Sequence, residues 1–268
     1  MVITSTANQH VKWLRALAAS ARDRRRERSF VIEGVRLVAD ALAAGAELRL
    51  ALYAPEQLAA TAAGTALLAR LQTLSRCFPA TPAVVAAAAD TEQPQGVIAA
   101  VAWPELPPRP GLRLVLDEIQ DPGNVGTLLR SAAASGAGLV LCAPGTADPF
   151  SPKVARAAMG AHFVVPLRLL GWEEIAAELG PYTVYAADSA GSQPYYAVDW
   201  RQPAALIIGN EAHGLSAAAR ALARQTITIP MAGPIESLNA GVAGSIILFE
   251  ALRQRSADAC APSPRNNV

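Results

Sequence analysis

Between Trp103 and Gly111 the chain reads W-P-E-L-P-P-R-P-G, with four prolines in nine residues. Proline lacks a backbone N–H and has a fixed φ, so this stretch belongs neither inside a helix nor inside a central strand. An extended linker over 103–111 is therefore expected, between folding units at 1–102 and 112–256. The 268 residues suffice for two small domains, and 52% apolar residues suffice for their cores. Residues 257–268, closing on A-P-S-P-R-N-N-V, are expected to fray.

The first unit opens with a helix that places Val11, Leu14 and Leu17 on one face. F-V-I-E-G (30–34) reads as a strand turning into a helix that stops at Gly45. A strand L-R-L-A-L-Y-A, a helical stretch over 56–75 and a closing strand over 96–101 complete a small α/β unit. In the second unit short apolar strands alternate with helices. Strands are expected at Leu112–Leu116, Leu139–Cys142, Tyr182–Ala187, Ala204–Ile208 and Thr226–Ile229. Helices are expected over Val125–Ser135, after Ser151-Pro152, after Gly214-Leu215-Ser216, and from Ser237 to about Arg255. Continuous apolar strands between helices indicate a parallel sheet covered on both faces.

Composition excludes several classes. Lys and Arg total 23 against 22 Asp and Glu, so the chain is not a globally basic nucleic-acid coat. A local excess exists: from Lys12 to Arg28 there are seven basic and two acidic residues. Cys77, Cys142 and Cys260 are far apart, as are His10, His162 and His213, which supports neither a disulfide framework nor a metal site. No signal-like apolar core and no uncharged apolar run near ~20 residues is visible. A soluble protein of a reducing, cytoplasmic compartment is expected, with no membrane and no metal.

Ligands of open parallel sheets sit beyond the carboxyl ends of the strands, so the loops at those ends carry the chemistry. In Asp121-Pro122-Gly123-Asn124-Val125-Gly126, Asn124 reads as a helix cap, and Arg130 lies inside that helix. In Gly209-Asn210-Glu211-Ala212-His213-Gly214, two glycines frame one carboxylate. The third loop, Ile229-Pro230-Met231-Ala232-Gly233-Pro234-Ile235-Glu236-Ser237-Leu238-Asn239, ends on Ser237, a cap candidate for the last helix. Gly241 and Gly244 each weaken that helix by ~1 kcal/mol, which calls for close packing, a partner chain being one candidate. Singly, each loop also reads as an ordinary turn. Together they supply backbone groups, an Arg, a Glu, a Ser and two Asn, which suits a hydrogen-bonding cofactor of the nucleoside kind. No Ser-His-Asp order or carboxylate pair for hydrolysis is present.

N-V-G-x-x-x-R at 124–130, G-N-E-x-x-G at 209–214 and I-P-M-x-G-x-x-E-S-L-N at 229–239 resemble the three motifs of the SpoU/TrmH-type RNA 2′-O-ribose methyltransferases of the SPOUT superfamily. F-V-I-E-G-x-R at 30–36 resembles that family's substrate-binding domain. The resemblance implies an α/β fold whose C-terminal SPOUT domain carries a parallel sheet and a deep trefoil knot. It implies S-adenosylmethionine held around Gly209, Ile229, Met231, Leu238 and Asn239, and a homodimer. Arg130, Asn124, Glu211, Ser237 and Asn239 would form the catalytic set. The family gives Arg130 the 2′-OH proton, but a guanidinium stays protonated, so binding the neighbouring phosphate is the role chemistry favours. Lys12, Arg24, Arg25, Arg26 and Arg28 would track RNA phosphates. Two departures stand out: Ala212-His213 replaces Gly-Glu, and Ala240-Gly241-Val242-Ala243 replaces Val-Ser-Val-Ala. The expected activity is 2′-O-methylation of large-subunit (23S) ribosomal RNA. A transfer-RNA target and a non-catalytic RNA-binding protein are the alternatives. An oxidoreductase is disfavoured, because no glycine fingerprint stands after either unit's first strand.

Overall fold

The structure, a computed structural model, describes residues 2–259. Along the chain come α1 (Gln9–Ala19), α2 (Ala21–Glu27), β1 (Ser29–Glu33), α3 (Val35–Ala43), β2 (Leu48–Tyr53), α4 (Pro55–Ala59), α5 (Ala62–Leu71), β3 (Cys77–Pro79), α6 (Pro82–Ala88) and β4 (Val97–Ala102). Next are β5 (Arg113–Leu116), α7 (Pro122–Ala134), β6 (Leu139–Cys142), α8 (Pro152–Ala158), β7 (Leu167–Leu169), α9 (Trp172–Leu179), β8 (Thr183–Ala187) and β9 (Gln193–Pro194). The last elements are β10 (Ala204–Ile208), α10 (Ala217–Leu222), β11 (Gln225–Thr228) and α11 (Ala240–Ala259).

Two compact units result, Met1–Glu105 with Asp148–Val164, and Leu106–Ala147 with Val165–Val268. The division falls inside the proline-rich stretch. Asp148–Val164, expected in the second unit, instead packs with the first. Its rings explain why: Phe150, His162 and Phe163 gather around the buried Phe30 of β1, with centroids 5.2–6.0 Å away. Trp103 stacks on Phe150 at 4.1 Å. His162 is buried with its Nε2 2.7 Å from the Pro149 carbonyl, and burial pushes its pKa down to about 4.

In the first unit the sheet order is β1-β4-β2-β3, with only β2 and β3 parallel. Asn8 caps α1 by accepting the His10 N–H, and Val11, Leu14 and Leu17 are all buried. Burying each such side chain contributes ~1.5–3 kcal/mol. Ser20 caps α2 through the Asp23 N–H. On α2, Arg24 must be withdrawn from the expected RNA contacts. Its side chain is buried, ion-paired to Asp148 at 2.7 Å and bonded to the carbonyls of Leu17 and Ala18. Arg26 pairs with Asp23 and Glu27, and Arg28 with Glu105, while Lys12 and Arg25 are exposed.

The second unit carries seven strands in the order β7-β6-β5-β10-β8-β11-β9, every pair parallel. All of β10 is buried, as a central strand with both faces covered should be. The strand β9 places Pro194 at the sheet edge, where a missing N–H costs least. α7 packs along α11, and this answers the two helix glycines. A Cβ at Gly244 would overlap Leu128 of α7, and one at Gly241 would crowd Asn124 and Thr127. The close packing is therefore made within the chain. α11 begins at Ala240, not Ser237, because Asn239 supplies the cap: its Oδ1 accepts the Val242 N–H at 3.2 Å. It runs to Ala259, past the expected end near Arg255. The fraying expected of 260–268 lies outside the described residues.

Candidate active site

The carboxyl ends of β8, β10 and β11 open into a cleft of about 390 Å³. That size falls in the range of small-molecule sites. Ile208, Gly209, Ile229, Met231 and Leu238 give it apolar walls and an uncovered backbone, and Glu211, His213, Ser237, Asp188 and Arg220 give it polar ones.

Asn210 organises the loop after β10. Its backbone exchanges two 2.9 Å hydrogen bonds with Gly214, closing the loop on itself. Its buried side chain accepts the N–H groups of Ala212 and His213 at 2.8 and 3.0 Å, and donates to the Glu118 carbonyl at 2.8 Å. Glu118 has φ +55°, uncommon for a residue with a side chain, so Asn210 secures a carbonyl that the chain presents at some conformational cost. The neighbouring Asp117 is buried at the end of β5, and its Oδ2 accepts the Ser216 N–H at 2.7 Å.

Asn124 does not cap α7. Asp121 does so, accepting the Asn124 N–H at 2.9 Å, with Pro122 in the first turn. The Asn124 side chain is thereby released. It is buried within α7 and donates through Nδ2 to Glu211 Oε1 at 2.5 Å. A Cβ at Gly241 would lie 3.2 Å from the Asn124 carbonyl oxygen and 3.1 Å from that of Asn239. The structure thus joins Asn124 and Glu211 across two of the loops, while Asn239 of the third caps α11 and, like Asn124, lies outside the cleft lining. Ser237, Leu238, Gly209, Ile229 and Met231 line the cleft. Arg130 is outside that lining, exposed on α7, and its side chain makes no hydrogen bond or ion pair among the described residues. Sequence reasoning missed Asp188 and Arg220 in the lining and the organising role of Asn210. Asp188 stands directly after β8, so the strand-end rule that singles out the three loops finds it too when applied to that strand.

Among the described residues no cluster of His, Cys, Asp and Glu could hold a metal ion, and no helix is long and apolar enough to cross a membrane. Cys77 is half-buried, and burial raises its pKa to about 11.

A late-strand cleft on a parallel sheet, with hydrogen-bonding residues converging from three loops, defines a protein built to bind a nucleoside-like ligand beside a reactive centre. Comparison with known proteins makes this specific. The SpoU rRNA Methylase family pattern matches residues 111–249, and an MRM3-like substrate binding domain pattern matches residues 8–99. The chain belongs to the SpoU rRNA methylase family. It is 32% identical to the 23S rRNA (guanosine(2553)-2′-O)-methyltransferase RlmP of Bacillus subtilis, covering 92% of this chain and 97% of that one. It is 33% identical to the 23S rRNA (uridine(2479)-2′-O)-methyltransferase of Streptomyces viridochromogenes, covering 98% and 95%. The crystal structure of the SpoU methyltransferase AviRb from the latter organism, in complex with the cofactor AdoMet, superposes with TM-score 0.81 at 32% identity, over 93% of this chain and 99% of that one.

Proposed function

We propose that this chain methylates a ribose 2′-hydroxyl of RNA, in the large ribosomal subunit, with S-adenosylmethionine as donor. The observation that carries this reading is the Asn124–Glu211 hydrogen bond joining two of the loops, beside a cleft lined from all the late strand ends and of a size suited to an adenosyl ligand. The donor fits the residues present: Gly209 and Ile229 offer backbone and apolar contact at strand ends, and Met231 and Leu238 add apolar lining. When bound, the donor supplies a methyl group on a sulfonium.

The protein's own groups position the acceptor. Arg130, exposed and unpaired among the described residues, holds the phosphate beside the target ribose and so orients the 2′-OH. Glu211 fixes the Asn124 amide by taking its N–H, which leaves the amide carbonyl facing the start of α11. Ser237 and Asn239 complete the ribose or methionine contacts. Phosphates elsewhere on the RNA meet Lys12 and Arg25, with Arg15 and Arg22, all exposed and without ion pairs among the described residues. Arg26 and Arg28 contribute less, since each is already paired.

A knotted second unit and a homodimer belong to the same proposal. The late strand β10 lies between β5 and β8, and β11 between β8 and β9, the kind of late insertion that threading requires. Val242 and Phe249, seven residues apart on α11, are each 46% exposed, an apolar stripe suited to a second copy of the chain. The deciding experiment maps 2′-O-methyl groups in ribosomal RNA incubated with purified protein and donor. One new site in 23S RNA is expected, and absence of any transferred methyl refutes the activity.

A further inference from the structure

One wall of the cleft has no part in the three motifs. Asp188 stands at the end of β8, and its backbone N–H donates to the Ile227 carbonyl of β11 at 2.9 Å. The turn it opens is closed by Gly191 N–H to Asp188 O at 3.0 Å and by Ser192 N–H to Thr226 O at 3.1 Å. A Cβ at Gly191 would overlap the Ile227 backbone, so the turn lies flush against β11. The Asp188 carboxylate is aimed as well as placed. Its Oδ1 accepts the Ala190 N–H at 3.0 Å, and its Oδ2 accepts from Arg220 Nη1 at 3.3 Å.

Stability does not account for this pair. The two side chains are 22% and 53% exposed, and such ion pairs contribute ~0–1 kcal/mol. Both line the cleft together with Gly209 and Ile229. A carboxylate offers about four lone-pair sites, and two are taken here, so about two remain for a ligand.

The cleft has two ends. Glu211 marks one, bonded to Asn124 of the helix after β5. Asp188 marks the other, after β8, which β10 separates from β5 in the sheet. A donor whose methyl points toward Asn124 and Arg130 turns its unreactive adenosine half toward Asp188. Within that half the ribose presents two adjacent hydroxyl donors, the group that matches a carboxylate with two open sites. An acid at a strand's carboxyl end meets ribose in the same way in dinucleotide-binding sheets.

We propose that Asp188 accepts hydrogen bonds from the ribose hydroxyls of S-adenosylmethionine, with Arg220 positioning its carboxylate. This rests on the cleft being the donor site. Titration calorimetry of the full chain with S-adenosylhomocysteine and its 2′,3′-dideoxy analogue tests it without needing turnover. The native protein should prefer the ribose form by about tenfold to a hundredfold. Asp188→Asn retains an acceptor for the Ala190 N–H, so it should keep the turn while losing that preference to within about threefold. Arg220→Gln should weaken the ribose form about two- to fivefold, leave the dideoxy analogue unchanged, and so reduce the preference in part. Full preference in Asp188→Asn overturns the inference, and an Arg220→Gln protein weakened equally toward both ligands overturns the positioning role by tracing its effect to packing. Native protein that binds neither compound overturns the cofactor reading itself, and the inference with it.

Discussion

Two of the glycine-containing loops that flank the cleft are built on opposite terms. The loop after β10 is tied to the segment after β5 at three points: Asp117 to Ser216, Asn210 to Glu118, and Asn124 to Glu211. The loop after β11 is exposed from Pro230 through Ser237, and no hydrogen bond within the described residues ties those eight positions down. Pro230 and Pro234 stiffen its backbone locally, and it is anchored only where Asn239 caps α11. The contrast teaches that one side of the cleft is a frame and the other a cover. A frame keeps the Asn124–Glu211 junction in register whether or not a ligand is present.

The largest effect is expected at Arg130, which belongs to neither loop. Arg130→Ala should lower methyl transfer by ~10²-fold or more while donor affinity measured by calorimetry is unchanged. Unchanged turnover would remove Arg130 from the site. Next comes the frame itself. Asn210→Ala deletes three side-chain hydrogen bonds and strands the buried groups they satisfied. A loss of about 2–4 kcal/mol in urea unfolding is expected, with donor binding weakened at least tenfold. Stability within ~0.5 kcal/mol of native would show that the loop is not a frame.

Acid sharpens the comparison by acting away from both loops. His162 in the first unit has its pKa lowered to about 4 by burial, against 6.5 when unfolded. Between those values the unfolded chain takes up the proton and the folded one does not, so the His162 contribution to stability is full above about 6.5 and falls as pH drops toward about 4. His162→Phe should flatten that slope in melting experiments, and an unchanged slope would assign it to other groups. The smallest effect belongs to the cover. Ser237→Ala is expected to move the melting point by no more than ~2 °C, since its side chain caps nothing, while still lowering methyl transfer. A large stability loss there would erase the distinction between the loops.

Much of the second unit was legible. β6 and β10 coincide with their apolar runs because a buried parallel strand has no polar alternation to blur its ends. β3, β7 and β9 span only two or three residues each, too few for any periodicity. The three loops were visible as motifs, but their wiring was not. Asp-Pro at 121–122 carries the same cap signal as Ser-Pro at 151–152, so the cap of α7 was readable and Asn124 stood free for Glu211. The burial of Arg24 was not readable. It depends on Asp148, 124 positions away, and within R-D-R-R-R-E-R nothing separates an inward arginine from an outward one.

The placement of Asp148–Val164 with the first unit bears on how the molecule can be taken apart. The chain leaves the first unit at Glu105, returns to it for those seventeen residues, and leaves again. Cleavage at the proline stretch would sever only one of these three crossings. An amino-terminal fragment ending at Glu105 would lack the rings that shelter Phe30 and the carboxylate that neutralises Arg24. Such a fragment should be sticky and short-lived in isolation, and mixing it with the remainder should restore it.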